Sequence, residues 1–254
     1  MRYALISDIH GNLAALEAVL ADIATRDDIG GIYHLGDLVG YGSSPNEVVA
    51  RLQADAIAGV SGNYDSTVAM DYKHCGCHAD TPRDEELAHT SFEWTRRNVS
   101  PGTRRFLASL PFRLDLRPLG GHAGGPAITL VHATPDSNLV YVTEDRSDDF
   151  LRKMASRAAL KAGDTICFGH THKPWHREVD GIQFVNTGSA GRPKDGDWRA
   201  CWILFDSTAP GVGVDIVRVP YDVDAAAAGI EKAGLPSEFG VFLRSGGATP
   251  KGKA

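Results

Sequence analysis

An α/β fold is predicted by three features of the sequence. Short apolar runs alternate with stretches of helical periodicity between Tyr3 and Val60. Each of those runs gives way to a glycine beside a polar group. Further apolar runs then recur through the second half of the chain.

Taken in order, Tyr3–Ile6 is a buried strand that stops at Ser7. Leu13, Leu16, Val19, Leu20 and Ile23 then recur at helical spacing, and Asn12 is placed to cap that helix. A turn at Asp27–Gly30 leads into a second strand, Gly31–Leu35. Ser44-Pro45-Asn46-Glu47 has a capping-box spacing with proline at the first helical position, and Val48, Val49 and Leu52 give that helix its buried face. Ala56–Val60 is the third strand. The segment 66–110 changes character: Thr81-Pro82 opens a charged helix through Asn98, and Ser100-Pro101 opens a shorter one. It is expected to be a helical cap inserted over the crevice at the strand ends, where ligands of α/β sheets bind. Phe112, Leu114 and Leu116 alternate as a strand, and Leu119–Pro126 is a glycine-rich turn or loop. Strands are expected at Ile128–Val131, Thr165–Phe168, Gln183–Val185, Ala200–Phe205 and Val212–Val219. Helices are expected at Phe150–Leu160 and from Asp222 onward. Residues 245–254 make a loosely docked or poorly ordered tail. With no internal repeat or linker, a single domain over 1–254 is expected.

Composition limits the function. At 254 residues and 43% hydrophobic, the chain can bury a large core. A formal net charge of -6 argues against a stable nucleic-acid complex or a membrane-surface protein. Four cysteines make no disulfide scaffold. The chain starts directly with a strand, without a basic-then-apolar leader, and has no run of membrane-span length, so a cytoplasmic protein is expected.

The chemistry is concentrated where the strands end. Asp8 and His10, Asp37, Asn63, His132, then His170 and His172 each follow an apolar run. This set of oxygen and nitrogen donors suits manganese, iron or zinc better than calcium or a thiolate-bound metal. It is too large for one tetrahedral site and suits two ions sharing a carboxylate, a pair that clamps the oxygens of a displacement at phosphorus. Two divalent cations against two carboxylates leave a net positive pocket in an acidic protein, the field a phosphate needs.

The blocks Asp8-Ile9-His10-Gly11-Asn12, Gly36-Asp37-Leu38-Val39-Gly40-Tyr41-Gly42, Gly62-Asn63-Tyr64-Asp65, Val131-His132 and Gly169-His170-Thr171-His172, in this order, resemble the calcineurin-like metallophosphoesterase superfamily. The likeness is greatest to its compact prokaryotic branch, which includes diadenosine tetraphosphatase-like proteins and small phosphodiesterases. Asn186–Pro193 resembles that branch's glycine-serine loop, with Thr187 in place of the usual proline. The resemblance implies a four-layered αββα sandwich. It implies that Asp8, His10 and His172 hold one divalent metal, that Asn63, His132 and His170 hold a second, and that Asp37 bridges. A metal-bridging hydroxide would then hydrolyse a phosphodiester, a phosphomonoester or a nucleotide polyphosphate. Asp37, Asn63, Tyr64 and His132 are the expected catalytic positions. Asn12, Tyr64, His74, His78 and Arg192 are the expected substrate contacts, and a phosphorylated small molecule or nucleotide is the expected partner. The family's usual histidine after the Gly-Asn pair is Tyr64 here. Either Tyr64 takes over its role, or His74 or His78 enters from the cap, or the leaving group needs no acid. The alternative to an enzyme is a catalytically silent scaffold of the same fold.

Other residues have simpler readings. His74-Cys75-Gly76-Cys77-His78 is read as a cap-loop turn rather than a zinc knot, because its ligands are crowded; a labile Cys75–Cys77 disulfide is a third option. His34, Cys167 and Cys201 are read as packed in the core. Leu87 and Trp94 are read as a helix's packing face, and Arg96-Arg97 and Arg104-Arg105 as solvated. Arg192 and Lys194 either bind phosphate or are solvated.

Overall fold

The computed structural model describes residues 1–77, 79, 81–116, 126–207 and 213–248. In the first half of the chain it contains β1 (Arg2–Ile6), α1 (Leu13–Ile23), β2 (Ile29–His34), α2 (Pro45–Ala54), β3 (Ala58–Gly59), α3 (Asn63–Ala69), α4 (Pro82–Asn98), α5 (Pro101–Ser109) and β4 (Arg113–Leu116). In the second half follow β5 (Ile128–Val131), α6 (Asp148–Arg157), β6 (Thr165–Phe168), β7 (Trp175–Val179), β8 (Ile182–Asn186), β9 (Ala200–Asp206), β10 (Gly213–Val219), α7 (Val223–Lys232) and α8 (Ser237–Ser245). The strands form two five-stranded mixed sheets, ordered β10-β9-β1-β2-β3 and β4-β5-β6-β8-β7.

Alternation along each strand assigns its two faces to different layers. Tyr3 and Leu5 of β1 and Ile203 and Phe205 of β9 point inward and meet Ile128, Leu130, Cys167 and Val185 of the other sheet. Their neighbours Ala4, Ile6, Trp202 and Leu204 point outward and pack on Leu16 and Val19 of α1 and Val48 and Leu52 of α2. On the far side, Ile166, Phe168 and Phe184 pack on Leu151 and Met154 of α6. Helix, sheet, sheet and helix are thus the four layers expected. Each fully buried Leu, Ile or Phe contributes about 1.5–3 kcal/mol to holding them together.

Local signals were obeyed with some exceptions. The Asn12 side chain caps α1, its Oδ1 accepting the Ala15 N–H at 3.1 Å. Thr81 and Ser100 cap α4 and α5 in the same way. Ser44 precedes α2 without a side-chain cap bond, so the capping box read there does not form. Phe112 lies before β4 and is 40% exposed, whereas Leu114 and Leu116 pack inward. Leu87 and Trp94 pack against the α7–α8 pair, and the Trp94 indole N–H donates to Ala233 O. Cys167 and Cys201 are free and buried.

Three elements were not foreseen: α3, β7 and α8. Most of the expected glycine-rich loop at Leu119–Pro126 and the start of the strand expected from Val212 lie outside the described residues, as do residues 249–254 of the tail. Ser245 closes α8, and Gly246 accepts the Gly196 N–H at 2.9 Å, so this end of the chain is docked. No helix among the described residues is long and apolar enough to cross a membrane.

Candidate metal centre

The turns after β1, β2 and β6 bring the chemistry together. They lock to one another through the backbone: Asp8 N–H donates to Gly36 O, His10 N–H to Asp37 O and Gly11 N–H to Leu38 O. Asp8, His10, Asp37, His170 and His172 all have positive φ, between 49° and 66°. That conformation costs an ordinary side chain on the order of 1–3 kcal/mol and clusters at functional sites. Here it points five polar side chains into one buried space.

Two groups result. Asp8, His10 and His172 form one and Asp37, His132 and His170 the other, and within each the donor atoms lie within 4.8 Å of one another. Asp37 Oδ2 lies between them, 3.5 Å from His132 Nε2 and 3.8 Å from His10 Nε2. Its Oδ1 is fixed by the Tyr64 N–H at 2.8 Å. Asp8 Oδ2 accepts from the Ser7 hydroxyl and the His170 N–H. Asp8 Oδ1 is buried with no hydrogen-bond partner among the described residues and lies 3.2 Å from His172 Nε2. Asn63 Nδ2 donates to Cys75 O at 3.0 Å, which turns Oδ1 inward to within 3.0 Å of His132 Nε2.

The tautomers follow from the partners. His10 Nδ1 donates to Val39 O, His132 Nδ1 to Leu35 O and His172 Nδ1 to Arg192 O. A carbonyl only accepts, so each Nδ1 carries a proton and Nε2 is the nitrogen turned into the site. Yet His10 Nε2 and His172 Nε2 are 3.1 Å apart. His132 Nε2 faces His170 Nδ1 at 3.2 Å and the Asn63 oxygen. Lone pairs of neutral rings converging at these distances repel unless positive charge, from a proton or a cation, sits among them. The residues therefore fit divalent cations held by nitrogen and oxygen.

Electrostatics agree. Burial, reinforced by His172, pushes His10 down to about 3, and burial with His132 does the same to His170. Burial opposes a charge on His132 too, but the Asp37 carboxylate outweighs it and raises His132 to about 9. A proton there supplies the positive charge the carboxylates demand.

Residues 1–208 match the model of the calcineurin-like phosphoesterase superfamily domain. The chain belongs to that superfamily. An uncharacterised protein of Methanocaldococcus jannaschii is 31% identical over 261 residues, covering 94% of this chain and 96% of its own. A metallophosphoesterase from Sphaerobacter thermophilus is 27% identical at a TM-score of 0.74, over 97% of this chain and 99% of that one. A hypothetical protein from Pyrococcus horikoshii, 22% identical, shares the fold at a TM-score of 0.81, with 98% and 99% covered.

The structure also places the other expected site residues of this superfamily member. Tyr64 is fully buried, with its hydroxyl 2.8 Å from Ser91 Oγ and its ring against Gly40, where any Cβ would clash. The phenol thus braces α4 through Ser91. Tyr64→Phe should therefore cost about 1 kcal/mol of stability, the worth of one hydrogen bond, and change kcat/KM less than about threefold. Urea unfolding and steady-state kinetics measure both. Asn12 caps α1 while Nδ2 donates to Gly191 O and the Tyr221 hydroxyl, and it lines a cavity beside His10 and Arg192. His74 is exposed on the loop before α4, and His78 lies outside the described residues. Cys75 and Cys77 are disulfide-bonded to each other, which leaves no thiolates for a zinc knot. The His34 ring is buried with no hydrogen-bond partner among the described residues, and burial lowers its pKa to about 4.

The motifs did not single out Asp65, whose carboxylate accepts the Leu38 N–H at 2.9 Å and the Gly62 N–H at 3.0 Å. It ties the Asp37 turn to the Asn63 turn. Ser189, which donates to Asp8 O, braces the Asp8 turn in the same way. Nothing but its place in the Gly62–Asp65 block pointed to Asp65.

Proposed function

We propose that this protein hydrolyses phosphoesters at a pair of divalent transition-metal ions. The convergence of imidazole nitrogens with the oxygens of Asp8, Asp37 and Asn63 is the observation that supports it. Asp8, His10 and His172 would hold one ion, Asn63, His132 and His170 the other, and Asp37 Oδ2 lies where a shared ligand belongs. The donor set suits manganese, iron or zinc. Two such ions, when bound, make a water-derived nucleophile available near neutral pH and neutralise phosphoryl charge.

The protein's own part is orientation. Carbonyls of Val39, Leu35 and Arg192 fix three imidazoles in the tautomer that presents Nε2. The segment 66–110 serves as a wall rather than a detached lid, since Cys75 O orients Asn63 and Ser91 holds both Tyr64 and the Tyr41 N–H. With the Tyr64 hydroxyl engaged on Ser91, that position offers the leaving group no proton. Aryl esters and phosphoanhydrides, whose leaving groups need none, are the favoured substrates.

The test is metal analysis of the manganese-loaded protein together with turnover of p-nitrophenyl phosphate, bis-p-nitrophenyl phosphate and alkyl phosphodiesters. Two ions per chain and faster hydrolysis of the aryl esters are expected. Bound metal with no turnover of any phosphate ester would instead favour a silent scaffold.

A further inference from the structure

Arg192 is the most unusual charged residue outside the metal groups. It is 9% exposed, yet among the described residues its guanidinium meets no carboxylate and donates no hydrogen bond. Its planar face is clamped between two rings instead, 4.0 Å from the Tyr41 centroid and 3.7 Å from the Phe242 centroid. Cation–π contact offsets part of the cost of burying the charge. It covers the faces of the guanidinium and leaves its edge, where the N–H donors lie, without an acceptor. That edge is the part that grips a phosphate with paired hydrogen bonds.

The clamp adjoins the metal centre on one side. Arg192 O accepts from His172 Nδ1, and the Tyr41 ring packs edge-on against His10 at 5.1 Å. On the other side it borders a cavity of about 320 Å³, which runs from His10, Tyr41 and Arg192 to the apolar side chains of Ala226, Ile230 and Phe239. A volume of this size takes a small organic ligand. The apolar wall comes from α7 and α8, beyond residue 208 where the superfamily match ends.

We propose that the α7–α8 pair and Arg192 form a specificity site for organic diphosphates. The terminal phosphoryl group lies at the metal centre, the inner phosphate on the Arg192 edge, and the apolar or aromatic group in the cavity. This rests on the phosphoesterase reading for the bond that is cut. Water oxygen bonds to the terminal phosphorus as the bridging P–O bond breaks, releasing inorganic phosphate and a phosphate monoester. Nucleoside and prenyl diphosphates share this chemistry, and binding distinguishes them.

Calorimetry on the manganese-loaded protein can use methylene-bridged analogues of adenosine diphosphate, geranyl diphosphate and inorganic diphosphate. At least one organic analogue should bind about tenfold more tightly than the inorganic one. Arg192→Met should weaken every analogue about 10–100-fold, and Arg192→Lys should recover little of it. Ala226→Phe, which fills the cavity, should erase the preference for the organic analogue; Ala225→Phe serves if that variant does not fold. Equal binding of all analogues to the wild type, or a preference that survives the filled cavity, overturns the proposal. The readout is binding alone, so it stands apart from the turnover assays that test the phosphoesterase reading.

Discussion

Asp37→Asn is expected to strip both ions and to lower turnover by about a thousandfold or more. The amide has the shape of the carboxylate, and its oxygen can still accept the Tyr64 N–H that now meets Oδ1 at 2.8 Å. The fold therefore survives, and the loss is one of charge. The other half of the amide places an N–H₂ where Oδ2 now lies, 3.5 Å from His132 Nε2 and 3.8 Å from His10 Nε2. Donor hydrogens at that point repel any cation shared by the two groups. His10→Ala, by contrast, removes a donor from one group and should weaken mainly one ion. Elemental analysis per chain and kcat on bis-p-nitrophenyl phosphate separate the two variants. Retention of two ions with a rate within about tenfold of wild type in Asp37→Asn would remove Asp37 from the shared position.

The seven donor positions were legible because each follows an apolar run that has to be a strand, and strand ends on one edge of a sheet converge. What the sequence hides is the backbone that aims them. Only glycine advertises positive φ, whereas here Asp8, His10, Asp37, His170 and His172 all adopt it. The burial of Tyr64 was not legible, because a motif fixes the position of a Cα and not the direction of a side chain. Gly40, by leaving room for the ring, lets it pack into the core. The edge strand β7 escaped notice because His176 and Glu178 face solvent and leave too few apolar residues to mark it. Helix α8 has only nine residues, in which Phe239, Phe242 and Leu243 make a short helical period just before the glycine-rich tail. The pairing of Phe242 with Arg192 spans fifty residues and has no local signature.

Metal affinity should rise steeply with pH, and His132 sets the slope. In the metal-free protein Asp37 raises this imidazole to about 9, so it is protonated at neutral pH. A cation that uses His132 Nε2 must displace that proton. Apparent affinity for the second ion should therefore rise about tenfold per pH unit from pH 6.5 to 9 and level off above it. Chelator competition at several pH values reads this directly, and one proton released on binding the second ion at pH 7.5 is the companion measurement. Stability carries the same signature with the opposite sign. His132 binds its proton more tightly folded than unfolded, so its contribution is fully present below about pH 6.5 and is lost as pH rises through 9. On this account the metal-free protein loses on the order of 3 kcal/mol across that window. His10 and His170, lowered to about 3, work the other way and remove stability as pH falls below 6.5. Asp37→Asn removes the charge that holds the His132 proton, so it should flatten the stability slope above pH 6.5. An equally steep slope in that variant would place the controlling proton on another group.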